Sequence, residues 1–188
     1  MKQKLLILDL DETLLYATSL ALEREADFRF EHYHVYLRPH LREFLAFCQQ
    51  YFRLAVWTSS SEDYAQCVVE NIFGLEHELQ FVWARRRCTP RFDPETMSYE
   101  WSKNLDKLKR KGHDLSQVIM LDDTPRKLAR HYGNLLRINM FEGQLDDQEL
   151  KLIQPFLLEL HAKPNVRKVE KRYWRMRPMQ TDQVSDQT

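Results

Sequence analysis

Two carboxylates stand two residues apart in Leu5-Leu6-Ile7-Leu8-Asp9-Leu10-Asp11-Glu12-Thr13, where a continuous apolar run gives out. An Asp-x-Asp pair can offer one carboxylate as nucleophile and the other as proton donor, provided that a cation relieves their repulsion. A second acidic pair, Asp122-Asp123, follows another apolar run, Val118-Ile119-Met120-Leu121. A third run, Leu54-Ala55-Val56-Trp57, closes on Thr58-Ser59-Ser60-Ser61 and then Glu62-Asp63, the pattern of a helix amino terminus. Free backbone N–H groups there suit a phosphate oxygen, and Thr58 adds a hydroxyl. Carboxylates without Cys or His at ligand spacing ask for a hard cation; magnesium fits, with Asp9 and Asp122 as its ligands. Phosphoryl transfer also needs a fixed positive charge opposite the metal. Lys103 and Lys107 both precede the run at 118–121, and spacing alone does not choose between them. Taken alone, the first acidic pair has a second, weaker reading as a turn former.

The chemistry therefore depends on what brings these groups together. Residues 5–8, 53–57, 79–84, 117–121 and 135–138 read as buried strands. Helical patterns fill 41–51, 62–72 with a stop near Gly74, 102–111 with a stop at Gly112, and 146–161. Residues 28–37 alternate with a period of two, which predicts a small antiparallel excursion after the first strand. The stretch 85–100 loses periodicity and carries Arg85, Arg86, Arg87, Arg91, Pro90 and Pro94. It reads as a surface loop whose arginines either grip an acidic or doubly phosphorylated substrate or are simply solvated. Alternating strands and helices predict an α/β domain with a doubly wound, mainly parallel sheet. In such a sheet the strand exits converge on one edge, where ligands bind.

Composition narrows the partners. The 188 residues suit one domain, expected over 1–163, followed by a basic and then polar tail at 164–188 that contains Tyr173 and Trp174 and should fray. With 28 basic and 28 acidic side chains, no global field draws the chain to nucleic acid or to a membrane surface, and no apolar run is long enough to span a bilayer. Cys48, Cys67 and Cys88 are odd in number and widely spaced, which predicts free thiols and a reducing cytoplasm and disfavours a thiol-based phosphatase. No coiled-coil or repeat signal sets an oligomeric state.

Asp9-Leu10-Asp11-Glu12-Thr13, Trp57-Thr58-Ser59-Ser60, Lys103-Asn104-Leu105-Asp106-Lys107-Leu108 and Leu121-Asp122-Asp123-Thr124-Pro125 resemble, in order, the four motifs of haloacid dehalogenase superfamily phosphatases. Leu37-Arg38-Pro39-His40, Glu43-Phe44-Leu45 and Cys88 are similar to the branch of the small RNA polymerase II carboxy-terminal-domain phosphatases, the NLI-interacting-factor-like domain. The resemblance covers about residues 4–160. It implies that Asp9 attacks phosphorus to form an aspartyl phosphate and that Asp11 is general acid and then base. Thr58, Ser59 and Lys103 would hold the phosphoryl group; Lys103 is preferred to Lys107 because the residues after it match the family's helix. Asp9, Asp122 and the backbone carbonyl of Asp11 would bind magnesium, with Asp123 and Thr13 in support. The branch has no large cap, which implies an open site and a phosphoserine or phosphothreonine protein substrate. A small-molecule phosphatase and a catalytically silent binding module of the same fold are the alternatives. A receiver domain is disfavoured, because there the paired acids bind metal and a separate Asp is phosphorylated.

Overall fold

The computed structural model describes residues 3–74, 78–94 and 97–177. β1 (Lys4–Leu8) is buried at every residue. A strand can be apolar throughout only with neighbours on both edges and packed layers on both faces. After β1 the chain makes a small antiparallel sheet of β2 (Leu15–Thr18), β3 (Phe28–Phe30) and β4 (Tyr33–Leu37) in the order β2-β4-β3. It then runs through α1 (Leu41–Tyr51), β5 (Phe52–Trp57), α2 (Glu62–Ile72) and β6 (Leu79–Trp83). A two-stranded hairpin of β7 (Thr89–Asp93) and β8 (Ser98–Ser102) precedes α3 (Asp106–Lys109), β9 (Val118–Asp122), β10 (Leu135–Arg137), α4 (Glu149–Leu152) and α5 (Gln154–Ala162).

The central sheet has five parallel strands in the order β10-β9-β1-β5-β6. Strand alternation divides the core in two. Leu6, Leu8, Leu54, Val56, Ile119 and Leu121 face α1, α2 and α5, whereas Leu5, Ile7, Ala55, Trp57 and Met120 face Trp83, Leu105, Leu108 and Leu128. This is the expected doubly wound α/β fold, with the small β insertion after the first strand and no large cap among the described residues.

Several local expectations are corrected. The stretch 85–100 is not an aperiodic loop: after a 3-10 turn at Arg85–Arg87 it enters the β7–β8 hairpin, whose Thr, Phe, Tyr and Trp residues favour extended backbone. Pro90 is tolerated there because each strand of a two-stranded ribbon has an unpaired edge. The helix expected over 102–111 shrinks to α3, because Ser102 ends β8 and the Asn104 side chain accepts from Asp106 N at 3.0 Å, starting the helix there. Lys103 thus precedes the helix instead of opening it. The helix expected over 146–161 is two pieces meeting near Ile153, where Pro155 in the next turn can supply no N–H.

The tail does not fray where it begins. Val166 and Trp174 are buried, Trp174 Nε1 donates to the Arg137 carbonyl at 2.9 Å, and Arg175 is paired with Glu149. Lys171 Nζ donates to the carbonyls of Val166 and Val169 at 2.6 and 2.8 Å. Residues 164–177 are therefore part of the packed domain; the remainder of the expected tail, 178–188, lies outside the described residues. No helix among the described residues is long and apolar enough to cross a membrane.

Candidate active site

The register of β1 and β9 sets the site. Leu8 lies opposite Leu121, and Asp9 N donates to the Leu121 carbonyl at 3.0 Å, so Asp9 and Asp122 leave the sheet side by side. On the other edge of β1, Leu8 lies opposite Val56 of β5, whose continuation delivers Thr58 to the same rim, held by a 2.9 Å bond from its N–H to the Trp83 carbonyl. This is the position in the strand order where direction reverses, the usual crevice of an open parallel sheet.

Carboxylate oxygens of Asp9, Asp122 and Asp123 all lie within 4.8 Å of one another, and all three residues are buried. At that separation two like charges repel by about 3 kcal/mol even at an effective dielectric constant near 20, so the cluster requires cations. Lys103 supplies one: its fully buried Nζ lies 2.9 Å from Asp9 Oδ1 and 2.7 Å from Asp122 Oδ2. Its backbone N–H is fixed to the Lys127 carbonyl at 2.7 Å. Lys107 instead donates to the carbonyls of Arg87 and Cys88 at 2.7 and 3.2 Å, away from the carboxylates. Lys127 supplies the second charge, with Nζ 2.8 Å from Asp9 Oδ2 and 3.8 Å from oxygens of both Asp122 and Asp123.

These cations separate the two strand-exit acids. Burial would raise the Asp9 carboxyl, but Lys103 and Lys127 outweigh it and hold Asp9 well below the usual carboxylate range. Asp122 moves the other way: burial and the Asp9 charge push it up more strongly than the two lysines pull it down. Asp9 is thus the more acidic of the pair and the first to ionise, the state that a nucleophile requires.

Asp11 is placed by the turn after β1. The Leu10 carbonyl accepts from Thr13 N and Leu14 N at 3.2 and 2.8 Å, with Glu12 in the left-handed region at φ 61°. The Asp11 carboxylate turns away from the acidic cluster toward α2, accepting from Ser60 Oγ at 2.6 Å and Tyr64 Oη at 2.5 Å. Burial pushes its carboxyl up, against the opposing pull of those two hydroxyls. Thr58 Oγ1 accepts from Ser60 N at 3.0 Å and stands 3.5 Å from Asp11, so the expected phosphate-binding hydroxyl borders that acid. Ser59 lies on the wall of a neighbouring cavity with Trp101 and Lys127, and its carbonyl accepts from Arg85 Nε at 2.8 Å. Thr13 is buried and ties the two acidic motifs together, donating to Asp123 Oδ1 and accepting from Asp123 N, both at 3.2 Å. The buried Arg38 guanidinium donates to the Thr13 carbonyl at 2.9 Å and makes a two-point contact with Asp147 at 2.8 Å each.

All eight residues expected at the site therefore gather at one sheet edge. Asp123 joins the carboxylate cluster itself, while the Asp11 side chain stands outside it. Sequence reasoning passed over Lys127, Ser60 and Tyr64. The signal for Ser60 was its place in the hydroxyl run; Tyr64 was visible only as part of an apolar helical stripe, and Lys127 had no signal beyond closeness to Asp122-Asp123.

A parallel sheet carrying two acidic exits, a buried lysine between them and a hydroxyl run on the next strand defines a phosphatase of the haloacid dehalogenase type. The sequence profile of the NLI interacting factor-like phosphatases matches residues 4–167. This chain belongs to that family of phosphatases. It is 31% identical over 186 residues to CTD phosphatase-like protein 355R of Invertebrate iridescent virus 3, covering 83% of this chain and 96% of the viral one. It is 28% identical over 183 residues to CTD nuclear envelope phosphatase 1 of Xenopus laevis, covering 89% of this chain and 71% of that protein. The solved structure of Fcp1, an essential RNA polymerase II CTD phosphatase, superimposes with a TM-score of 0.57 at 19% identity, over 85% of this chain. The present chain spans about half, 49%, of that one, and the likeness is one of fold.

Proposed function

We propose that the protein is a magnesium-dependent phosphatase that hydrolyses phosphoserine or phosphothreonine in proteins through an aspartyl phosphate on Asp9. The observation that carries this reading is the convergence of Asp9, Asp122 and Asp123, with the Lys103 ammonium between Asp9 and Asp122. The donor set fits a hard divalent cation: it consists of carboxylate oxygens with no thiol or imidazole, and the Lys127 ammonium already stands among them as a positive charge. Asp9, Asp122 and Asp123, with the Asp11 backbone carbonyl, would hold the ion, which when bound neutralises the phosphoryl oxygens.

In the first step an Asp9 oxygen attacks phosphorus and the bond from phosphorus to the ester oxygen breaks. Asp11, whose carboxyl burial pushes up, gives its proton to that departing oxygen. In the second step Asp11, now ionised, takes a proton from water as the water oxygen attacks the same phosphorus; the bond from Asp9 to phosphorus breaks and inorganic phosphate leaves. The Lys103 ammonium and the Thr58 hydroxyl steady the transferring group. Shape supports the substrate class. Beside Asp11 runs a groove of about 420 Å³ lined by Phe30, Tyr33, Ser60, Tyr64 and Arg85, and no cap domain closes over it among the described residues. A phosphorylated side chain on a peptide can enter such a site without a lid opening. The names of the relatives, which include nuclear envelope and RNA polymerase II CTD phosphatases, support a phosphoprotein in preference to a metabolite.

The test is steady-state hydrolysis by the purified protein. Aryl phosphate turnover is expected to disappear in Asp9→Asn and on chelation of magnesium, and phosphopeptides are expected to outcompete phosphorylated metabolites. Full activity of Asp9→Asn would remove the covalent mechanism, and a preference for metabolites would remove the substrate class.

A further inference from the structure

Lys127 sits on the short 3-10 turn Pro125–Leu128 that follows the second acidic pair, and none of the steps proposed for Asp9 and Asp11 needs it. Its backbone is fixed: the N–H donates to the Thr124 carbonyl at 3.1 Å, and its carbonyl accepts from Lys103 N at 2.7 Å and from Ser102 Oγ at 3.3 Å. From this anchor the ammonium reaches the middle of the carboxylate cluster, touching Asp9 Oδ2 at 2.8 Å and facing Asp122 and Asp123 at 3.8 Å each. The other Asp9 oxygen is held by Lys103 at 2.9 Å, so both nucleophile oxygens carry an ammonium. A divalent ion bound by these same three carboxylates and the Lys127 ammonium cannot share that space, since two cations in van der Waals contact repel strongly.

We infer that Lys127 is a tethered counter-ion that neutralises the cluster before metal binding and must be displaced by the metal, so that it sets metal affinity and keeps the metal-free nucleophile capped. This rests on the proposed metal site. The displaced side chain has somewhere to go. It already borders a cavity of about 210 Å³ that also reaches Ser59, Glu100, Trp101 and Arg126. The side chain is 18% exposed, against none for Lys103, so of the two lysines it is the one free to leave. An ion that binds only the fraction of molecules with Lys127 swung out has its apparent affinity reduced by that fraction, about tenfold to a hundredfold if the lysine is inward for about 90–99% of the time.

The experiment is calorimetric titration of the full chain with magnesium, alongside thermal unfolding with and without the ion. Lys127→Met and Lys127→Gln are expected to bind magnesium about tenfold or more tightly than the unaltered protein. They should also show a lower metal-free Tm and a larger rise in Tm on adding magnesium. Lys127→Arg, which keeps the charge, should stay within about threefold of the unaltered affinity. Should either neutral variant unfold in chelator and fold with magnesium, the ion is taking over the role of the lysine and the proposal stands. Equal or weaker magnesium binding in both neutral variants, with clear binding by the unaltered protein, overturns the role of Lys127 and leaves the metal site standing. Absence of magnesium binding in every protein overturns both.

Discussion

Lys103→Met deletes the ammonium that touches both Asp9 and Asp122 while keeping the bulk of the side chain. The two contacts are 2.9 and 2.7 Å, and all three side chains are essentially unexposed. Removing one partner of a buried ion pair costs about 3–5 kcal/mol, because the charge left behind is uncompensated. Two features favour the lower end. Lys127 remains 2.8 Å from Asp9, and Asp122, already raised by burial and by the Asp9 charge, can take up a proton. A loss of about 3 kcal/mol in a domain of this size lowers Tm by about 6–12 °C. The assay is thermal unfolding in chelator at about pH 5 and about pH 8, followed by circular dichroism. A carboxyl whose pKa is higher in the folded than in the unfolded chain favours folding in acid, and that contribution is lost as pH rises through its folded value, about 6 for Asp122. Without Lys103 the mutual repulsion of the acids grows, so the deficit must be larger at the alkaline pH. A drop of less than about 2 °C there, or a deficit that deepens on acidification, refutes the claim that Lys103 neutralises the pair.

Asp11→Asn removes the proposed proton donor and should cost about 10²–10⁴ in turnover of alkyl phosphates and much less in the first step with aryl phosphates, whose leaving groups need no proton. A burst of aryl alcohol followed by slow turnover is the expected rapid-mixing result, and equal losses on both substrate types would contradict the acid role. Tyr64→Phe removes the 2.5 Å hydrogen bond that favours ionised Asp11, so the alkaline limb of the pH–rate profile should move up. A limb that stays or moves down would show that Tyr64 does not tune the acid. Trp174→Ala, at a side chain only 4% exposed, should destabilise by about 3–5 kcal/mol in chemical denaturation, whereas a peripheral segment would lose almost nothing.

The strands were legible because their burial on both faces writes them as unbroken apolar runs, and the helix at Glu62–Ile72 because Ser61 caps it and Gly74, at φ 56°, stops it. The hairpin was hidden: arginines and prolines on an exposed ribbon mask the alternation of Thr89, Phe92, Tyr99 and Trp101. The packed segment at 164–177 was hidden for a related reason, since only two of its residues, Val166 and Trp174, bury large apolar side chains, too few to show a period. At the site, Asp9, Asp122 and Thr58 could be read because chemistry placed at the ends of apolar strands stands out. Lys127 could not, since its reach into the cluster comes from a 3-10 turn and from a backbone bond to Lys103, neither of which leaves a trace in local sequence.

The position of β1 at the centre of the sheet has a consequence for biosynthesis. It is made before both of its partners, residues 52–56 and 118–121. A nascent chain halted before about residue 118 presents one bare flank of Leu5–Leu8, an apolar strand edge of the kind that recruits other chains. The same fragment holds Asp9 without Asp122 beside it. Under the proposed mechanism, translation therefore yields no partly competent intermediate: the acidic site is completed in one late event, when β9 pairs with β1.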